Sequence, residues 1–302
     1  MTHTPGDATG NESRISGRAL AVQTIRDTGS ATTTLPGGDT DARRRRELAL
    51  FLKAKRAAVA PQTVGLHPGR RRRTHGLLRE EVAQRAGISP TWYTWLEQGR
   101  EINPSTEVLE QLADALLLTR SERAHVMTLA RPAATARVSR RFSHEVSAVL
   151  HSWINGLDQA AYVLNGRWDI LAWNEATVRL LGDFAALPAA DRNILRMIFL
   201  WPHWRRLFVD WECLAESVVA QFRAETARHA GAPELLELTD ALAGDSAQFA
   251  HLWHARAVDV PQLKVKRLQH AELGTVDLTY APLRPRGVAD DLSVVVYSAR
   301  AD

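Results

Sequence analysis

The sequence predicts a multidomain chain, an all-α N-terminal domain followed by an α+β domain with an antiparallel sheet. Three observations carry that prediction. Five short, punctuated helical segments crowd into the stretch from residue 43 to 130, strand-like runs stand at both ends of the remaining chain with helices between them, and the positive charge is concentrated in the first part. At 302 residues, with 45% hydrophobic and 24% charged residues, the chain is long enough for about two cores.

Residues 1–42 are rich in Gly, Thr, Ser and Asp and show no sustained period, so they are expected to form an extension without fixed structure. Segment 43–60 places Leu48, Phe51, Leu52 and Lys55 at helical spacing and stops at Pro61. Leu78 to Ala86 forms the next helix and ends at Gly87. Ser89 then caps Pro90 to Gln98, with proline at the favoured first position and Gly99 as the stop. Ser105 and Ser121 open two further helices. Residues 43–130 are therefore expected to be the helical domain, 131–145 a linker of small and basic residues, and 146–302 the second domain. In that second domain, 161–165 and 168–173 flank Gly166-Arg167 as a hairpin, and 262–270, 273–280 and 292–298 read as later strands. Helical runs at 174–182, 191–200, 204–230 and 246–258 lie between them.

Between Arg43 and Arg100 there are 14 Lys/Arg against 4 Asp/Glu, a surplus of +10, whereas the whole chain carries only +4. Such asymmetry suits a first domain that approaches a polyanion. The helix pair supplies a geometry for it. Ala83 permits close approach, Gly87 permits the turn, and Ile88, Tyr93 and Leu96 form the apolar seam. Helical spacing then turns Pro90, Thr91, Thr94 and Trp95 outward, where a helix-turn-helix presents its second helix to the major groove. Thr91 and Thr94 can bond base edges or touch a thymine methyl; Trp95 offers apolar contact and one indole donor. Arg79 at the start of the first helix of the pair is placed to meet a phosphate, and Arg70, Arg71, Arg72 and Arg73 can follow the backbone or enter a minor groove. Arg43 to Arg46 form a second basic run, readable equally as a solvated face.

Segment 77–118 closely resembles the lambda-repressor-like helix-turn-helix pattern of the XRE type, and by that resemblance Trp92 and Gln98 become further contacts to the DNA backbone. The longer stretch HPGRRRRTHGLLREEVAQRAGISPTWYTWLEQGREINPS, together with YVLNGRWDILAWNEATVRLLG, WEC, LGTVDLTYAPLR and LSVVVYSA, resembles the MmyB-like regulators of actinobacteria and related bacteria. The resemblance implies a PAS-like C-terminal domain, a curved antiparallel sheet with helices around an apolar pocket, and a fatty-acid-like ligand for at least some members. It implies a transcription regulator that binds a double-stranded operator. From the residues themselves, LAWN and DRNILRMIFLWPHW combine an apolar wall with polar handles. They nominate Trp173, Asn174, Asn193, Arg196, Phe199 and Trp201 as ligand contacts, with Arg196 or Asn193 able to hold a carboxylate. The aromatic residues serve equally as core, and Asn174 equally as a helix cap.

No G-x-S-x-G elbow, phosphate loop, dinucleotide fingerprint or H-E-x-x-H occurs, so no catalytic activity is expected. Cys213 stands alone, which excludes an intramolecular disulfide or a CxxC clip, and His251 with His254 lacks an obvious third metal ligand. No cofactor is expected beyond a small apolar effector. Without an apolar run of about 18 residues or a signal-peptide pattern, the chain is expected to work in the cytoplasm, at the nucleoid when on DNA, as a homodimer. The competing expectation is an adaptor, tethered to DNA, whose C-terminal domain binds another protein.

Overall fold

The computed structural model describes residues 36–66, 74–130, 142–258, 265–287 and 289–299. Helix α1 spans Pro36–Ala58, so the chain is helical seven residues before the expected start at 43. Proline suits a first helical position, and Asp41 accepts from the Arg44 guanidinium one turn on, which draws this otherwise aperiodic stretch into the helix. Of the extension expected over 1–42, residues 1–35 lie outside the described residues. Leu48, Phe51 and Leu52 are buried as their spacing requires.

Helices α2 (Arg79–Arg85), α3 (Pro90–Glu97), α4 (Thr106–Ala115) and α5 (Arg120–Ala130) complete the N-terminal domain. Ser89 Oγ accepts from the Trp92 amide at 3.0 Å and Ser105 Oγ from the Val108 amide at 3.3 Å, each satisfying an otherwise orphaned N–H at a helix start. The cap of α5 is Thr119 and not Ser121. Thr119 Oγ1 accepts from the Glu122 amide and Glu122 Oε2 accepts from the Thr119 amide, a reciprocal capping box that begins the helix ahead of Ser121. Leu77, Val82, Tyr93, Leu112, Val126 and Leu129 close the core with α1.

Residues 131–141 of the expected linker lie outside the described residues. The next two are already packed: Phe142 is buried in the second core, and the Ser143 amide and hydroxyl both donate to Asp291. Then come α6 (Ala148–Asn155), strands β1 (Ala161–Leu164) and β2 (Ile170–Trp173), α7 (Glu175–Leu181), α8 (Ile194–Leu200), α9 (Pro202–Leu207), α10 (Trp211–Thr226), α11 (Pro233–Asp245) and α12 (Ala247–Ala255). Strands β3 (Val265–His270), β4 (Gly274–Leu283) and β5 (Ser293–Ala299) follow. The five strands form one antiparallel sheet in the order β2-β1-β5-β4-β3, with Tyr162 opposite Val295 and Tyr280 opposite Tyr297.

The helical run expected over 204–230 is two α-helices. It breaks at Phe208–Asp210, where the backbone leaves the helix to bridge β3: the Val209 amide donates to Arg267 O and Phe208 pairs with Leu268. One face of the sheet packs against α8 to α12 and holds the larger core. On the other face Leu150 and Ile154 of α6 cover Val163, Ala172 and Val294.

Candidate DNA interface and ligand cavity

The turn between α2 and α3 is closed by the Ile88 amide donating to Ala83 O at 2.9 Å, and Gly87 takes φ +64°, the left-handed region that favours glycine. Val82 and Ala83 of α2 and Tyr93 and Leu96 of α3 are buried against each other. Beneath them lies a charged pin. The buried Glu97 carboxylate accepts from Arg56 Nε of α1 at 2.6 Å and from Arg79 Nε of α2 at 2.7 Å, so three helices meet on one side chain. Burial alone raises its pKa, but the bonds from Arg56 and Arg79 outweigh it and hold the carboxyl below the usual range.

With its inner side fixed, α3 presents Pro90, Thr91, Trp95 and Gln98 to solvent. Thr94 is half-buried and its hydroxyl donates to Pro90 O at 2.8 Å, which leaves the oxygen lone pairs as acceptors. Trp92 packs partly into the N-terminal core. Arg100, a residue the sequence reading passed over, lies with its guanidinium 5.6 Å from the Trp95 ring centre and donates to Gln98 Oε1 at 3.0 Å. It adds a cation to the far end of the exposed face. The Gly99-Arg100 pair that ends the helix was the available signal. Arg79 keeps part of its guanidinium in solvent beside the first turn of α2. Arg70, Arg71, Arg72 and Arg73 lie outside the described residues. In the earlier basic run, Arg44 is buried and turned inward onto Asp41 and Leu129 O, so it is a structural residue.

In the second domain the six residues expected at a ligand site hold the fold together. Asn174 is buried; its Oδ1 accepts from the Ala161 and Thr177 amides and its Nδ2 donates to the carbonyls of Ile154, Leu157 and Gln159. Asn193 caps α8 through the Leu195 amide and donates to Arg167 O and Asp169 Oδ1. Neither amide has capacity left for a ligand. Arg196 Nε is bound to Asp191 Oδ1 at 2.8 Å. Trp173, Phe199 and Trp201 stack edge-on into the core, at ring distances of 5.5 Å to Phe184, 5.2 Å to Phe249 and 6.4 Å to Phe184 respectively. The two asparagines are buried structural ties, Arg196 is ion-paired, the three aromatic rings pack on the core, and none of the six lines the cavities beneath α10.

Two adjoining cavities lie under α10. One of about 280 Å³ is bounded by Phe208, Cys213, Leu214 and Ser217 above and by Val265, Lys266 and Tyr280 of the sheet below. A smaller one of about 50 Å³ adjoins it, lined among others by Tyr162, Trp168, Gln221, Glu225 and Val295, and the two share Val218, Lys266 and Tyr280. Lys266 stands between them. Its ammonium lies 4.1 Å from the Tyr280 ring centre and donates to Tyr297 Oη at 3.1 Å, and among the described residues no carboxylate pairs with it.

The remaining polar groups face one another at the inner end. Tyr280 Oη donates to Gln221 Oε1 at 3.1 Å, and Trp168 Nε1 donates to Glu225 Oε2 at 3.1 Å. Burial pushes the Glu225 carboxyl up, against the opposing Trp168 bond. Trp168 itself sits at φ +67°, a strained conformation for a non-glycine residue, held by packing on Phe222 and by Asn165, whose Oδ1 accepts from the Arg167 and Asp169 amides. The lining is thus partly apolar, with Lys266 as its one cation without a carboxylate partner among the described residues, Asp210 and the ion-paired Arg267 at the rim, and Glu225 and neutral hydrogen-bonding groups at the inner end. Such a lining fits an apolar molecule with an acidic or polar head.

A helix-turn-helix with an exposed second helix, followed by a domain that encloses a cavity between helix and sheet, defines a DNA-binding regulator with a ligand-binding part. Residues 142–302 match the family described as the MmyB-like transcription regulator ligand binding domain, and residues 42–126 match a helix-turn-helix domain family. The chain belongs to the MmyB-like transcription regulators. No curated protein matches it.

Proposed function

We propose that the chain is an operator-binding homodimer of the XRE type that senses a small, apolar, fatty-acid-like molecule with an anionic head in the cavity beneath α10. The observation that carries the sensing part is Lys266, a half-buried ammonium set among tyrosine rings at the junction of two cavities whose walls are largely apolar beside it. An ionised head group there meets a half-buried cation, while the tail replaces water along Phe208, Leu214 and Val218. The strand order β2-β1-β5-β4-β3 with helices packed on one face supports the PAS-like reading. Base reading is assigned to Pro90, Thr91, Thr94 and Trp95, and phosphate contact to Arg79, Trp92, Gln98 and the run Arg70 to Arg73. The domain limits expected at 43–130 and 146–302 widen to 36–130 and 142–302. Action on an operator places the protein in the cytoplasm, at the nucleoid when bound.

Native mass spectrometry of the freshly purified chain, followed by dodecanoate titration, tests this. The reading expects a dimer mass, saturable dodecanoate binding, and affinity at least tenfold weaker in Lys266→Gln; absence of binding, or identical binding by Lys266→Gln, contradicts it. A second reading, the DNA-tethered protein adaptor, draws support from Val149 and Trp153, two large apolar side chains exposed one turn apart on α6. A stoichiometric protein partner with no retained small molecule in the same spectrum favours it.

A further inference from the structure

Helix α10 has two working sides. Ser217, Val218, Gln221 and Glu225 line the cavities over the sheet. Arg223 follows Gln221 by two residues, about 200° round a helix, and so faces away from them toward the N-terminal domain. It is buried there. Its Nη1 donates to Glu47 Oε1 of α1 at 2.6 Å, its Nη2 donates to Trp253 O, and its guanidinium lies 3.8 Å from the Trp253 ring centre. Arg256, at φ +53° just past α12, donates to the same Glu47 oxygen. One carboxylate of α1 is therefore gripped by two guanidiniums of the second domain.

The same helix is pinned again further along. Arg56 lies nine residues after Glu47, about 13 Å at the helical rise, and bonds Glu97 of the DNA-facing helix α3 at 2.6 Å. Helix α1 thus carries two charge-assisted anchors, one to α10 and one to α3. The N-terminal core also takes in Ala227 and Val258 of the second domain, so the joint is packed as well as paired. Room for an alternative arrangement exists beside it. A cavity of about 80 Å³ is lined by His125, Arg223, Thr226, Leu235 and Trp253, and both His125 ring nitrogens and Arg223 Nε lack hydrogen-bond partners among the described residues. A packed, charge-paired joint with slack beside it tends to have discrete arrangements and not a continuum.

We propose that Arg223 and Glu47 are positioning residues that report occupancy of the sheet cavity to α3, with α10 and α1 as the two arms of the relay. The proposal rests on the ligand-cavity reading above. It requires that filling the space under α10 and breaking the Arg223–Glu47 contact be energetically coupled in DNA binding.

The test is a double-mutant cycle on the full chain, read as affinity for a duplex that the wild-type protein selects from random DNA. Ser217→Phe fills the cavity from α10; if it does not fold, Cys213→Trp fills it from an exposed position on the same rim. Either filler is expected to change DNA affinity at least fivefold in the wild-type background and less than twofold in Glu47→Gln. An equal fold-change in both backgrounds, or no change by the filler in the wild type, overturns the relay. Dodecanoate titration of the wild type separates the two readings. A non-additive cycle without dodecanoate binding upholds the relay and removes the acyl ligand, whereas dodecanoate binding with an additive cycle does the reverse.

Discussion

Asn174 and Arg79 show how differently two polar side chains serve the molecule. Asn174 uses both ends of its amide on backbone groups of α6, β1 and α7, so replacing it by alanine strands buried carbonyls and an amide. Asn174→Ala is expected to lose about 2–4 kcal/mol of stability in urea unfolding and to leave DNA sequence preference unchanged. Arg79 is half in solvent, and Glu97 keeps Arg56 when it is removed. Arg79→Ala is expected to weaken binding to all duplexes alike and to reduce the slope of log affinity against log salt by about one. A changed base preference in a selection would assign Arg79 to base reading instead. The solvent-exposed side of α3 was legible in the sequence because helical spacing and caps are local. The cavity lining was not: an asparagine beside tryptophans reads as a polar handle in a pocket, and only the folded chain shows its amide saturated by backbone groups of α6, β1 and the loop between them.

Among the elements, α5 carries a group with a defined pH consequence. His125 is buried against the Phe51 ring, 5.0 Å away, and burial first, then Arg223, Arg256 and Lys55, hold its pKa down to about 3 against the ordinary 6.5, with Glu47 opposing. Below pH 6.5 the unfolded chain binds a proton that the folded chain refuses, so stability falls on acidification from 6.5 toward 3. At pH 5 this one ring costs about 2 kcal/mol relative to pH 7. His229, lowered to about 4 chiefly by burial, acts in the same direction. His125→Leu removes no hydrogen bond shown by the described residues and is expected to flatten the fall of the urea midpoint between pH 7 and 5; an unchanged profile would show that His125 is not its source. Most elements could be read from the sequence; α6 and α11 were not among the expected helical runs, and two other departures have physical reasons. Helix α1 starts early through the Asp41–Arg44 pair, and α9 and α10 separate at a bridge to Leu268, a partner some 60 residues away that no window of periodicity contains.

At the scale of the whole molecule, a basic helix-turn-helix and a near-neutral to acidic ligand-binding domain are held by a joint of partly buried charge. The division into two functions was visible as charge asymmetry, but the joint was not, because Glu47 and Arg223 are 176 residues apart and each looks like an ordinary surface residue of a helix. The exposed side of α3 is expected to lie in duplex DNA. Selection from a random duplex pool by the full chain, repeated with Thr91→Ala and Trp95→Ala, tests this most directly. The wild type should enrich a pseudo-palindrome with half-sites about one helical turn apart, and each variant should enrich a motif altered at one position per half-site. No enriched motif for the wild type, or the same motif from all three proteins, would contradict it.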